Sequence, residues 1–307
     1  MNGDDQAPGI DQDLQLGQYI PLHYHWQMLQ DVDRVTAFRE TIEHFVQPGM
    51  HVVELGGGTG ILSSFAARCG ARVVCVERNP ELVRTARRLI GLNGLEERIE
   101  VVQADARHYQ PAEPVDFVIC EMLHVGLLRE KQTEVITAFK QHHQAAFGEK
   151  LPRFAPEATL LMIQPIEQDF DFAGYQAPIP LFQTPSADQS RTRELTDPVT
   201  YAQFCYDETI PTDIQWSDEI VIVHPGEFNS LRFLTQNLIG IVMEEGRAFT
   251  WPNQFLVMPL ESSLQVASGD RVRVTLQYRC GAELSSLTDS IQVEQMAVES
   301  APRRHAA

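Results

Sequence analysis

The stretch Val-Val-Glu-Leu-Gly-Gly-Gly-Thr-Gly at residues 52–60 constrains this chain more than any other, because an apolar strand runs straight into a glycine-rich turn. Gly56, Gly58 and Gly60 let the backbone turn sharply and leave room for a ligand to lie against it without a Cβ in the way. The spacing excludes two common readings. A dinucleotide fingerprint begun at Gly56 needs glycine or alanine at position 61, which is Ile61; one begun at Gly58 needs it at position 63, which is Ser63. No lysine follows the glycines, so the loop is not a phosphate-binding P-loop.

The surrounding pattern alternates helix and strand. Residues 20–45 carry apolar side chains at helical spacing (Met28, Leu29, Val32, Val35, Phe38, Ile42, Phe45), closed by Pro48-Gly49. Short apolar strands are predicted at 51–55, 73–76, 99–102 and 115–120, with helices at 61–69 and 81–92. Apolar strands separated by helices argue a parallel, doubly wound α/β sheet covered on both faces, with ligands at the carboxyl ends of its strands. Beyond residues 152–156 the pattern changes to short β-rich runs between turn signals, at 159–163, 220–223, 238–243, 255–260, 272–278 and 291–293. That spacing predicts an antiparallel barrel or sandwich. The expected division is a flexible start at 1–18, a ligand-binding domain at 19–152 and a β-barrel-like domain at 153–298. Residues 172–199 form an arm-like insert in the second domain, and 299–307 a loose tail.

Composition narrows the function classes. The net charge is −18, and a chain this acidic repels phosphate backbones, so nucleic acid is not an expected partner and a cationic or small neutral one is. The sequence has no long apolar run and no basic, apolar start, which predicts a cytoplasmic protein without membrane contact. Five scattered cysteines (Cys69, Cys75, Cys120, Cys205, Cys280), with no C-x-x-C pair, point to neither disulfides nor a metal site.

Several acidic residues stand at strand ends. Glu77 closes the second strand, 21 residues after Gly56, where a carboxylate can accept both ribose hydroxyls of an adenosine ligand. Asp105, after the third strand, is placed to meet an adenine amino group, with a helix N-cap as the alternative. Glu54 can anchor the glycine loop through backbone amides. Ile61, Leu62, Arg78 and Ala106, beside these positions, join the candidate binding set. Glu121 ends the fourth strand and Glu130 lies nine residues later. Two carboxylates at one mouth can grip a planar guanidinium through forked, charge-assisted hydrogen bonds; the plainer alternative is that Glu130 pairs with Arg129 or Lys131.

Over nearly its whole length the chain resembles the protein arginine methyltransferases. Residues 56–63, Gly-Gly-Gly-Thr-Gly-Ile-Leu-Ser, look like that family's cofactor loop, with Gly57 where a cysteine is usual. Residues 120–130 have the spacing of its double-glutamate loop, and residues 25–34 look like its N-terminal helix over the cofactor, with Tyr19 as the lid tyrosine. The resemblance implies S-adenosyl-L-methionine as cofactor and S-adenosyl-L-homocysteine as product. It implies that Arg34 binds the methionine carboxylate, that Met28 packs near the sulfonium, and that Tyr19 and His25 cover the site. Glu121 and Glu130 would be the catalytic pair, with Glu121 also in the cofactor-binding set. It also implies a head-to-tail homodimer through the insert. The segment 249–255, with Thr250 and Trp251, resembles the barrel loop that borders the substrate.

The departures are specific. Thr250 stands where the family has a histidine that pairs with the aspartate matching Asp31, so that pair is broken. Met122-Leu123-His124-Val125 replaces Trp-Met-Gly-Tyr, which makes His124 a candidate base or substrate ligand. The leading expectation is methyl transfer to a guanidino or amino nitrogen of a peptide or a small metabolite. The alternatives are an oxygen or carbon acceptor on a biosynthetic intermediate, and an inactive cofactor-binding scaffold.

Overall fold

Two helices at the start of the chain, rather than one, lead into the first sheet of the computed structural model, which describes residues 20–296; the expected flexible start, Tyr19 and the tail lie outside the described residues. Helix α1 (Leu22–Gln30) and helix α2 (Val32–Phe45) part at Asp31, whose side chain accepts the Arg34 amide at 2.9 Å. An N-cap inside a continuous helical pattern restarts the helix in a new direction. As a result Val32 points to solvent, at 70% exposure, while Phe38 and Ile42 are fully buried.

Then come β1 (His51–Leu55), α3 (Ile61–Arg68), β2 (Arg72–Glu77), α4 (Pro80–Leu92), β3 (Ile99–Gln103), β4 (Phe117–Cys120), α5 (Gln132–Phe147) and β5 (Arg153–Ala155). The five strands form a parallel sheet in the order β3-β2-β1-β4-β5, which is the doubly wound arrangement the sequence pattern predicts. Strand β5 lies past residue 152, so the parallel sheet reaches further along the chain than the expected division. The order reverses between β1 and β4, and crevices at such a switch point take ligands. Register brings the strand ends into line: Leu55 pairs with Val76 on one side and Cys120 on the other. Gly56, Glu77 and Glu121 therefore leave the sheet side by side.

The second half is antiparallel. Strand β6 (Ala158–Gln168), β7 (Asp171–Phe172), β8 (Tyr175–Gln176), β9 (Leu181–Gln183), β10 (Thr192–Glu194) and β11 (Val199–Cys205) come first. They are followed by β12 (Asp213–Val221), β13 (Gly226–Val242), β14 (Arg247–Pro252), β15 (Phe255–Val266), β16 (Arg271–Arg279), the short α6 (Leu284–Thr288) and β17 (Gln292–Gln295). A curled seven-stranded sheet is built around β6 and the 17-residue β13, with a separate three-stranded sheet, β12-β16-β17. One buried cluster runs from the parallel sheet into the antiparallel one. The insert does not simply project: β9 pairs with β15 and β10 with β6, and the Gln183 amide donates to Gln168 and Thr192. Among the described residues no helix is long and apolar enough to cross a membrane.

The halves meet where α2 packs on β13 and β14. A register shift between Leu238 and Gly240 opens that strand, and a Cβ at Gly240 would lie 2.6 Å from the Thr41 methyl and 2.8 Å from the Phe45 ring. Glycine is needed there for space, since both neighbours sit on the helix that carries Arg34. Gly240→Ala is therefore expected to cost about 1–3 kcal/mol by overpacking, read as a lower urea midpoint at unchanged m-value. An unchanged midpoint would mean that α2 is not seated on the strand.

Candidate active site

The carboxyl ends of β1, β2 and β4 open on one cavity of about 1140 Å³, roofed by α1 and bordered by the barrel loop after β14. The glycine loop forms its floor. Gly56, Gly58 and Gly60 all have positive φ (79°, 56° and 80°), which side-chain-bearing residues adopt only under strain. A Cβ at Gly58 would come 3.1 Å from the His25 ring, so His25 of α1 lies directly over the loop. At Gly57 a Cβ would fall 2.2 Å from Cys75 Sγ. The sulfur on β2 thus fills the space that a longer residue in the loop would need.

The loop is held by two carboxylates. Glu77 accepts the Gly58 amide at 2.9 Å and the Asn79 amide at 2.7 Å. Glu54 accepts the Ser63 amide at 2.9 Å and the Ser63 hydroxyl. Burial pushes Glu54 up to about 7, against the lowering effect of its Ser63 hydrogen bonds. Asp105 lines the same cavity and also N-caps the 3-10 turn Ala106–His108. It accepts the Arg107 amide at 3.0 Å and pairs with the Arg107 and Arg78 guanidinium groups. The N-cap reading is thus present alongside the cavity placement.

Glu121 and Glu130 flank the mouth. Arg34 Nε donates to Glu121 at 3.0 Å, a second guanidinium nitrogen also contacts Glu121, and a third donates to the Met28 carbonyl at 3.1 Å. Glu130 pairs with neither basic neighbour: Lys131 reaches Glu134 at 3.3 Å and Arg129 lies 3.8 Å from Glu283. Among the described residues no hydrogen bond or ion pair reaches its carboxylate. Burial and then the Glu121 charge push Glu130 up to about 8, with Arg34 and Arg129 pulling the other way.

The segment between the two glutamates is irregular, with Leu127 (φ 53°) and Arg129 (φ 61°) in left-handed conformations. It is stitched down on both sides. Gln132 donates to the Cys120 carbonyl at 2.8 Å and accepts the Met122 amide at 2.9 Å. From the second domain, Thr235 accepts the Gly126 amide, Tyr278 donates to the Gly126 carbonyl and Asn253 donates to the Leu123 carbonyl, at 2.8–2.9 Å. None of these four stands out in sequence: Thr235, Asn253 and Tyr278 reach the loop from distant segments, and Gln132, two residues after Glu130, reads there as an ordinary polar residue.

His25, Met28, Arg34, Glu54, Gly56, Gly58, Ile61, Leu62, Glu77, Arg78, Asp105, Ala106, Glu121, His124, Glu130 and Trp251 are all brought to this cavity. Two candidates are placed elsewhere. Gly60 sits behind the loop, where a Cβ would meet Ile90. Thr250 is exposed, because side chains on β14 alternate and Phe249 and Trp251 take the buried face. The expected loss of the link to Asp31 is made good by its neighbour: Trp251 Nε1 donates to Asp31 Oδ2 at 3.2 Å. His124 packs edge-on against Phe182 of the insert and shares a hydrogen bond with the Val125 carbonyl at 3.2 Å; burial holds its pKa down to about 4. A carbonyl only accepts, so Nδ1 carries the proton and Nε2 is left as an acceptor.

Comparison with known proteins agrees with this geometry. The family described as "Methyltransferase domain" matches residues 52–144. An uncharacterized protein of Methanocaldococcus jannaschii is 26% identical over 86% of this chain and 95% of its own length. The arginine N(omega)-methyltransferase of Streptomyces achromogenes subsp. streptozoticus is 32% identical, over 43% of this chain and 38% of that protein. In fold, the Trypanosoma brucei PRMT1 enzyme-prozyme complex with AdoHcy matches 90% of this chain and 99% of its own at a TM-score of 0.68, with 17% identity. The chain is a class I S-adenosylmethionine-dependent methyltransferase. Its fold, a Rossmann-like sheet followed by a curled antiparallel domain, is similar to that of protein arginine methyltransferases of known structure.

The raised carboxylates have a consequence for stability. Unfolded glutamate loses its proton near 4.3, whereas folded Glu54 and Glu130 hold theirs up to about 7 and about 8. Between those values the folded protein binds more protons, so its stability falls as pH rises through that window. The melting temperature of the ligand-free protein is expected to drop between pH 5 and pH 8.5, with a shallower drop in Glu130→Gln. Parallel profiles would mean that Glu130 ionises normally.

Proposed function

We propose that this methyltransferase acts on a nitrogen of a guanidino or amino group, in a peptide or a small molecule. The observation that carries the reading is the pair of carboxylates at one mouth, Glu121 aligned by Arg34 and Glu130 left without a protein partner. A guanidinium supplies two parallel donors for such a pair. The net charge of −18 favours approach of a cationic acceptor.

In this reading the glycine loop and Glu77 hold the adenosine part of S-adenosylmethionine, with Asp105, Arg78 and Ala106 at the adenine side. Arg34 meets the methionine carboxylate and Met28 the sulfonium region. The cofactor supplies an electrophilic methyl group. The protein's part is to hold the acceptor nitrogen in line, which is the larger share of such a rate enhancement. Glu130, poised near neutrality, is suited to take the proton that the nitrogen sheds. Arg34 already contacts Glu121, so its charge also orders the clamp.

Glu121→Gln and Glu130→Gln are each expected to lower kcat/KM for a guanidine acceptor by about 10²-fold or more while still binding S-adenosylhomocysteine. Glu77→Ala is expected to lose that binding in calorimetry. Full turnover in both glutamine variants would end the clamp reading.

We also propose a homodimer formed through the insert. Its support is the family likeness and the apolar surface that Phe172, Tyr175 and Ile179 expose there, at 47%, 72% and 62%. Light scattering at micromolar concentration is expected to give twice the chain mass, and a monomer would refute it.

A further inference from the structure

Arg129 is the residue of this site that a clamp for a cation does not explain. It lines the cavity one position before Glu130, with its backbone held at φ 61°. Its amide donates to the Ala282 carbonyl at 2.8 Å, and the neighbouring Gly281 amide donates to the Leu127 carbonyl at the same distance. The second domain thus holds a left-handed arginine in place, and such a conformation persists only where its surroundings over-determine it. The protein engages the guanidinium only loosely, through an ion pair with Glu283 at 3.8 Å. Its Nε is shielded from solvent with no hydrogen-bond partner, that separation being beyond hydrogen-bond range. Lys131, the next basic residue, is held more closely, 3.3 Å from Glu134.

A fixed positive charge beside a guanidinium clamp repels a simple cationic acceptor. It becomes an asset when the acceptor carries its own anion a short distance from the reacting nitrogen. Arginine is the side chain that grips a carboxylate through two parallel donors. The mouth is also narrowed by Phe182 of the insert, packed edge-on against His124 with ring centres 5.8 Å apart.

We infer that Arg129 is a specificity-determining residue that binds the carboxylate of the acceptor, which makes the preferred acceptor a free guanidino amino acid rather than an arginine within a polypeptide. This rests on the nitrogen-acceptor reading above and names the substrate class within it. In a peptide-linked arginine the α-carboxylate is an amide and offers Arg129 no charge.

The test compares initial rates, with saturating S-adenosylmethionine, for arginine, for agmatine (arginine without its carboxylate) and for a short peptide with one internal arginine and capped ends. Wild-type protein is expected to prefer arginine over both others in kcat/KM by on the order of tenfold or more, the step an added charge-assisted contact gives. In Arg129→Gln the ratio of arginine to agmatine should collapse toward one through KM rather than kcat, and Arg129→Lys should restore part of it. Calorimetry with S-adenosylhomocysteine checks that each variant is folded. Equal use of arginine and agmatine by the wild type, preference for the peptide, or an unchanged ratio in Arg129→Gln overturns the inference. If none of the three is methylated, the nitrogen-acceptor reading itself falls.

Discussion

At this sheltered mouth Arg34 pairs with Glu121, while Glu130, buried beside that pair, has its pKa pushed up to about 8. The Arg34 contact with Glu121 is almost closed to solvent, so removing one partner would strand a buried charge at a cost of about 3–5 kcal/mol. Much of the site follows from putting Arg34 there. Asp31 restarts the helix that carries it, and Trp251 from the second domain holds Asp31's other oxygen. Gly240 gives that helix room to seat on the barrel strand. The position of one guanidinium is in this way a joint product of both domains.

The loop that carries the glutamates obeys the same logic. It is short, irregular and locally strained, and its own sequence offers little to hold it. Its order comes from Gln132 on one side and from Thr235, Asn253, Tyr278 and the Gly281–Ala282 turn on the other. Tyr278 also shares a hydrogen bond with Tyr201 at 2.7 Å, deep in the barrel. A binding constellation kept by buried hydrogen bonds is pre-organised, and pre-organisation is what positioning catalysis requires.

The parallel sheet was readable because its strands are short apolar runs, and a run buried on both faces needs no partner to be recognised. The cofactor loop and Glu77 were readable for a related reason: register in a parallel sheet puts consecutive strand ends side by side. The break at Asp31 was hidden because the apolar spacing runs through it without a slip. Thr250 was misplaced because its role was carried over by position along the chain, whereas strand alternation decides which of two neighbours faces the site. The insert looked like a free projection because β9 and β10, of three residues each, are too short to show a period.

By itself the sequence determined the order of elements, the glycine loop and the types of charged residue at each strand end, since these depend on local backbone preference and on periodic burial. Only the tertiary structure decided which charges meet. It matched Gly57 to the Cys75 sulfur, gave Asp31 a tryptophan in place of a histidine, left the Glu130 carboxylate without a hydrogen bond and brought Arg129 to the cavity lining. These depend on the approach of segments that lie from 18 residues apart, as for Gly57 and Cys75, to 220 apart, as for Asp31 and Trp251, and that approach is set by packing two sheets around one core.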